Sequence, residues 1–498
     1  MSIKEDIIES FNALCKEKGK LLSREEYRNS DPKFHSGLVE KVFGSWTAFR
    51  HACTGKSSIG RCVSSKEFDK KVNKVVITTV YDGTSINKEF FDTLQTYCHF
   101  NKAEFGILWG KKIDKKELFD QETYDLLEPY FATEFTFEKD PYCIVKDYLI
   151  PATQKNPLLN IDKISTSYKT IILGCAKQYL KVLPYKQYEP YRVACTTGTL
   201  SNIDYKETVP GSVDNLNHTY GAILLEWDDI YSRYVIRHLV YKNGCICDLD
   251  LKYFPDDIKS EKIEALVLGD LHLPEEDPEI LEQTQLMITD LAPKTVVIHD
   301  LASWRSIAHH EYNKYLDKQL NNDPNTQSLE IERKAVINKL MNFIKGYDDT
   351  TFLIVKSNHD LFVEKWLNTG DFAKDSKNAK IGAHLFSEYL ENKTILTEFL
   401  PKNVKELPYN ANCKINGFEV GEHGDSGISG SKGSAKQYSK TFINSIIGHT
   451  HSPEIWEKTI VVGTSSKLIL NYNQKGMTCW AHAHAIIHSN NTAQLIFL

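Results

Sequence analysis

The sequence predicts an α/β protein with a small helical unit in front, and three observations point there. Short β-branched apolar runs alternate with helical stripes along most of the 498 residues. Five of the later runs stop at aspartate, asparagine or histidine. The first sixty residues carry helical spacing alone. These features divide the chain into a helical unit at 1–62, a middle α/β domain at 74–255 and a C-terminal domain at 262–498. A chain of this length exceeds one compact core.

In the first unit Ile7, Ile8, Phe11 and Leu14 recur at helical spacing, and Gly19 marks a stop. Ser23 and Glu26 form a capping-box signature for a second helix. Leu38, Val39, Val42 and Phe43 indicate a third, and FGSWTAFRHAC a fourth. Met1 to Arg61 holds eleven Lys and Arg against eight Asp and Glu, a net of +3, although the whole chain carries −6. A mildly basic helical module suits phosphate contacts; a packing or oligomerisation appendage is the plainer alternative. The order of these signals, with its SREEY and FGSW punctuation, resembles the helical repeat found beside homing endonucleases, which implies DNA binding.

Ser64 to Lys74 reads as a polar linker. Val75 to Val80 then predict a strand, Phe90, Phe91, Leu94 and Tyr97 a helix, and Phe105 to Trp109 a second strand. YDGTS lacks the glycine fingerprint of a dinucleotide site. From about Ser165 to Leu251 strands dominate, with a hairpin at Asn243-Gly244. Cys245 and Cys247 after that turn read as packed strand residues rather than metal ligands. Eleven scattered cysteines suit a reducing compartment. No stretch reaches the roughly 20 apolar residues of a membrane span, and MSIKEDIIES is no secretory leader. A cytoplasmic location without membrane contact is expected. The net charge excludes a uniformly basic nucleic-acid coat and leaves local patches open.

The chemistry lies after residue 262. Strand ends present Gly269-Asp270-Leu271-His272, then Asp300, then Asn358-His359-Asp360, then His423, then Gly448-His449-Thr450-His451. Ligand sites in open α/β sheets form beyond the carboxyl ends of strands, so these loops are expected to converge. So many His, Asp and Asn groups in one crevice would stay half-satisfied without a cation. Their mix of oxygen and nitrogen suits Mn²⁺, Fe or Zn²⁺, with Mg²⁺ also possible, over thiolate-bound metals. Seven donors exceed one open shell, so two divalent ions are expected.

This order of motifs resembles the calcineurin-like metallophosphoesterase superfamily. The resemblance implies a two-sheet sandwich flanked by helices. It also implies one metal on Asp270, His272 and His451, another on Asn358, His423 and His449, and Asp300 bridging. His359 would donate a proton to the leaving oxygen and Asp360 would orient it. Two glycines usual in the family are replaced here by His299 and Ser357, so local loop geometry is expected to differ.

For the substrate, the loop HGDSGISGSKGSAKQYSK offers glycine backbone N–H groups with Lys432, Lys436 and Lys440. It reads as a phosphate contact, or else as a solvated loop. Arg305, His309 and His310 line the cleft or pack locally. His482 and His484 alternate as sheet residues. Residues 311–347 form an insertion that caps the site or makes a subunit contact, and a homo-oligomer is one expectation. The runs from HGDSG to VVGTSS, with GMTCWAHAH, resemble the calcineurin-like early phosphoesterases of T5-type bacteriophages. That resemblance implies a DNase degrading host DNA in the bacterial cytoplasm, with DNA as partner. A phosphoesterase on small or cyclic nucleotides, or a host-takeover binding factor, are the alternatives.

Overall fold

The computed structural model describes residues 3–19, 22, 24–43, 46, 49, 52–53, 64–110, 119–148, 150, 154–165, 170–187, 189–308, 328–442, 444–470 and 476–498. Two compact units emerge: Met1–Cys62 with Glu117–Tyr124, and Val63–Lys116 with Asp125–Leu498. Among the described residues no helix is long and apolar enough to cross a membrane.

The smaller unit contains helices Ile3–Glu17, Arg24–Arg28 and Ser36–Phe43. Ile7, Phe11, Leu22, Tyr27, Val39 and Phe49 form its buried centre. The aromatic rings pack edge-on or tilted, as Phe11 on Phe49 at 4.9 Å, the geometry ring quadrupoles favour. Gly19 takes a φ of 67° just past the first helix, the stop expected from its freedom to turn left-handed. Ser23 of the second helix's capping signature, and most of the fourth helical segment, lie outside the described residues.

In the larger unit, strands Lys74–Tyr81 and Glu104–Gly110 pair in parallel across helix Lys88–Asn101. That helix buries Phe90, Phe91, Leu94 and Tyr97, as its spacing predicts. The hairpin turns at Asn243 (φ 53°) and Gly244 (φ 78°), pairing Lys242 with Cys245. Cys245 and Cys247 are buried in the strand that follows.

The linker expected at Ser64 to Lys74 is not one. Ser65–Phe68 is a strand, paired in parallel with Glu134–Phe137, where a linker was expected. Its sequence is polar except for Phe68, which stacks on Phe135 and Phe137 with centroids 5.5 Å away. Tertiary pairing overrides the local composition.

Six strands run in the order Val404–Leu407, Thr351–Val355, Thr295–His299, Ala265–Val267, Ala483–Ile487, Ala493–Phe497, the first four mutually parallel. Alternation decides the two faces. Ala265, Val267 and Val297 enter one apolar cluster with Ile446, Ile455 and Ile460 of an eleven-stranded sheet. Leu266, Val296 and Ile298 face the opposite way, against Ile288, Val336, Leu340 and Phe343 of helices Pro278–Leu291 and Leu329–Ile344. The eleven-stranded sheet is continuous across the expected boundary near 255–262, because Tyr179–Leu183 pairs with Glu454–Trp456. The stretches 74–255 and 262–498 are thus parts of one unit.

Candidate metal centre

Strands Ala265–Val267, Thr295–His299 and Thr351–Val355 lie side by side and point the same way. Their carboxyl ends share one edge, so Asp270, Asp300 and Asn358-His359 emerge together. The pairing continues past the strands, with the N–H of Leu271 donating to the His299 carbonyl (3.1 Å) and that of His272 to the Asp300 carbonyl (2.8 Å). In the eleven-stranded sheet Phe418–Glu419 and Ser445–Ile447 are also parallel, and the Gly448 N–H donates to the His423 carbonyl at 2.8 Å. The Asp270 N–H donates to the Gly463 carbonyl and the Ser465 N–H to the Asp270 carbonyl, at 3.1 and 2.8 Å. These bonds lock the two groups of loops against each other.

The side chains meet. His272 Nε2 lies 2.9 Å from His451 Nε2, and His451 Nε2 lies 3.1 Å from Asp270 Oδ2. Asp300 sits among them: Oδ2 is 3.5 Å from His272 Nε2 and 3.7 Å from His423 Nε2, and Oδ1 is 3.3 Å from His359 Nδ1. Three triads each place their ligand atoms within 4.8 Å of one another: Asp270–His272–His451, His272–Asp300–His359 and Asp270–Asp300–His423. His449 is half-buried, its ring 5.3 Å from that of His423 and its N–H donating to Asp270 Oδ2 at 2.8 Å. Asn358 adjoins this group in sequence, and its Oδ1 is buried without a hydrogen-bond donor.

The electrostatics ask for a cation. Asp270 and Asp300 are both buried. Burial and the Asp300 charge push Asp270 up to about 7. Burial would also raise Asp300, but His272 and His359 hold it well below the carboxylate range. Burial drives His272 and His451 down to about 4 and His423 further down, so these rings are neutral and have lone pairs to give. Burial opposes a charged His359, yet facing Asp300 and Asp360 raises it to about 9. Asp270 Oδ1, His451 Nδ1 and both nitrogens of His423 are buried with no hydrogen-bond partner. Unpaired buried polar atoms are costly. Neutral imidazoles and carboxylate oxygens converging in this way form a donor set that fits a divalent ion, so the buried His and Asp groups can hold a metal.

The backbone is bent to reach this arrangement. His272, Asp300, His449 and His451 have φ of 51°, 45°, 73° and 56°. Each costs a side-chain-bearing residue roughly 1–2 kcal/mol. Gly448 lies so close to Asp270 that a Cβ would stand 2.1 Å from Oδ1.

Supporting residues lay beyond the sequence motifs. His272 Nδ1 meets the Ser303 hydroxyl at 3.2 Å; Ser303 donates to Glu275 at 3.2 Å, and Glu275 pairs with Arg305. Such contacts set ligand orientation. The Ser357 hydroxyl donates to Asp300 Oδ1 at 2.8 Å and accepts from the His359 N–H at 3.1 Å. Thr464 Oγ1 donates to the Asp270 carbonyl at 2.9 Å. Thr464 also follows an apolar run, so the strand-end rule reaches it. His299 is fully buried and pushed down to about 4 by that burial, and nothing in the structure explains its choice.

Among the other expected site residues, Asp360 accepts from the Ser357 N–H and Trp304 Nε1, at 2.9 and 2.8 Å. It therefore shapes the loop and acts on His359 through charge; Asp300 is the carboxylate beside the imidazole. Arg305 is held by Glu275. Lys432 is exposed on the loop after His423. His309 and His310 lie outside the described residues, as does 311–327 of the insertion. His484 is in the strand Ala483–Ile487, where Nδ1 accepts from the Gly269 N–H at 3.0 Å; His482 just precedes it and meets the Ser466 carbonyl at 2.9 Å.

No family model matches the chain, and no solved structure matches it. It is similar to Protein A1 of Escherichia phage T5, at 25% identity over 467 residues, spanning 86% of this chain and 82% of that protein.

Proposed function

We propose that this chain is a dinuclear-metal phosphodiesterase that cleaves DNA, in the manner of a calcineurin-like enzyme acting in a phage-infected bacterial cytoplasm. The observation that carries the reading is the meeting of five strand-end loops on one buried set of His and Asp donors. Asp270, His272 and His451 would hold one ion, Asn358, His423 and His449 the other, and Asp300 would lie between. When bound, two such ions activate water and neutralise phosphoryl charge, and Mn²⁺ suits the mixed donors.

The chain's own groups supply the rest. His359, half-buried beside Asp300, is placed to deliver a proton to a departing oxygen. Asp300 Oδ1, 3.3 Å from His359 Nδ1, holds that ring in place. Exposed Lys432, on the loop after His423, and exposed Lys436, in the helix Ala435–Thr441 that follows, suit a polyanion. The net +3 of Met1 to Arg61 supports a long nucleic acid over a single nucleotide. Similarity to a phage protein supports the setting, although its name states no activity.

The test is purified protein with linear DNA, closed circular DNA and bis-nitrophenyl phosphate, in Mn²⁺ and in EDTA. We expect Mn²⁺-dependent cutting of DNA, and circular cutting would mark an endonuclease. Hydrolysis of the small ester with both DNAs intact would replace DNA by small phosphoesters as substrate. Inactivity on all three would overturn the enzyme.

A further inference from the structure

A second group of metal-type donors lies away from this centre, on helix Ala379–Leu390 and the turn Thr397–Phe399. His384 and Glu388 are one helical turn apart, on the same face. His384 Nε2 is 3.5 Å from Glu388 Oε1. With Glu398, their ligand atoms all lie within 4.8 Å of one another.

Glu388 is the unusual member. It is only 4% exposed, and neither carboxylate oxygen has a hydrogen-bond partner. The nearest cation, Arg333, stands 3.7 Å from Oε2, beyond hydrogen-bond reach. Its Nε is spent on the Ile395 carbonyl at 2.7 Å, and its guanidinium covers the Phe399 ring at 4.7 Å. Lys393 is 4.0 Å from Glu398 and closer to Glu391, at 2.9 Å. Burial and Glu398 raise the Glu388 carboxyl, as expected for two carboxylates facing each other with too little positive charge between them. Arg333 alone therefore does not satisfy Glu388; a proton shared with Glu398 would relieve one oxygen, whereas an ion between the three side chains would relieve both carboxylates while they stay charged.

We infer that His384, Glu388 and Glu398 form a divalent-cation site of zinc type, separate from the Asp270 cluster. One imidazole and two carboxylates are a familiar donor set for such an ion, with its outer positions left to water. Because His384 and Glu398 are exposed and Glu388 is buried, the ion would seat at the surface and tie the helix to the turn.

Equilibrium dialysis of the full-length protein against Zn²⁺ tests this. Wild type should retain one more zinc per chain than His384→Ala or Glu398→Gln, both changes of exposed side chains. In wild type, Zn²⁺ should also slow modification of His384 by diethyl pyrocarbonate several-fold, read by peptide mass. Equal zinc counts in all three proteins, or modification of His384 indifferent to Zn²⁺, would overturn the site. All three share an intact Asp270 cluster, so the difference is read whether or not the phosphodiesterase reading stands.

Discussion

His359 and Asp300 face each other across 3.3 Å, and much of the proposed chemistry depends on that pair. If His359 delivers a proton, His359→Ala should lower turnover by about 100- to 10,000-fold while leaving bound Mn²⁺ nearly unchanged. Loss of metal in that variant would make His359 a ligand, a role its triad with His272 and Asp300 also allows. Gly448 offers a different test, because its Cβ would stand 2.1 Å from Asp270 Oδ1. Gly448→Ala should displace that carboxylate and weaken Mn²⁺ binding by about 10-fold or more, measured by metal titration. Unchanged affinity would mean that Asp270 is not held by this close approach. Residues of this kind are only half-legible in a sequence. Asp270, His272 and His451 stand out because they interrupt apolar runs. Ser303 does not, since its contact to His272 spans 31 residues and its neighbours carry no periodic signal.

Secondary-structure elements converge at Asp248, which ends the strand Cys245–Asp248. Its carboxylate accepts from Arg237 at 3.0 Å, from the Tyr97 hydroxyl at 2.7 Å and from Gln494 at 2.8 Å, joining three strands and a helix. Burial alone would raise its pKa; Arg237 and these hydrogen bonds take it below the ordinary 3.8. A depressed folded pKa stabilises the fold above the unfolded value, and that stabilisation is lost as pH falls through the folded one. Asp248→Ala leaves Arg237 with Glu226 alone, at 2.7 Å, and removes the acceptor of Tyr97 and Gln494, so it should cost about 1.5–3 kcal/mol at pH 7 in urea unfolding. The deficit should shrink below about pH 4, and a pH-independent deficit would contradict the linkage. Strands such as Lys74–Tyr81 were legible from β-branched apolar runs, and helix Lys88–Asn101 from its stripe. Ser65–Phe68 was not, because its polar sequence becomes a strand only through pairing with Glu134–Phe137, about seventy residues later.

At the scale of the whole molecule, the shared eleven-stranded sheet gives the middle region a structural part in the centre. Tyr179–Leu183 pairs with Glu454–Trp456, which leads on to Thr459–Val461 and so to the loop of His449 and His451 through Ser445–Ile447. No sequence period announces pairing over such a distance, which is why two domains were expected where one sheet runs. The five ligand loops were legible all the same, since each lies at the end of its own strand and needs only parallel neighbours to meet the rest. The central claim is that these loops hold a pair of cations, and anomalous diffraction from crystals soaked in Mn²⁺ tests it most directly. We expect two peaks about 3.5–4 Å apart, one against Asp270, His272 and His451, the other against Asn358, His423 and His449, with Asp300 between them. No peak among these side chains, or a single ion that leaves His423 and His449 uncoordinated, would contradict it.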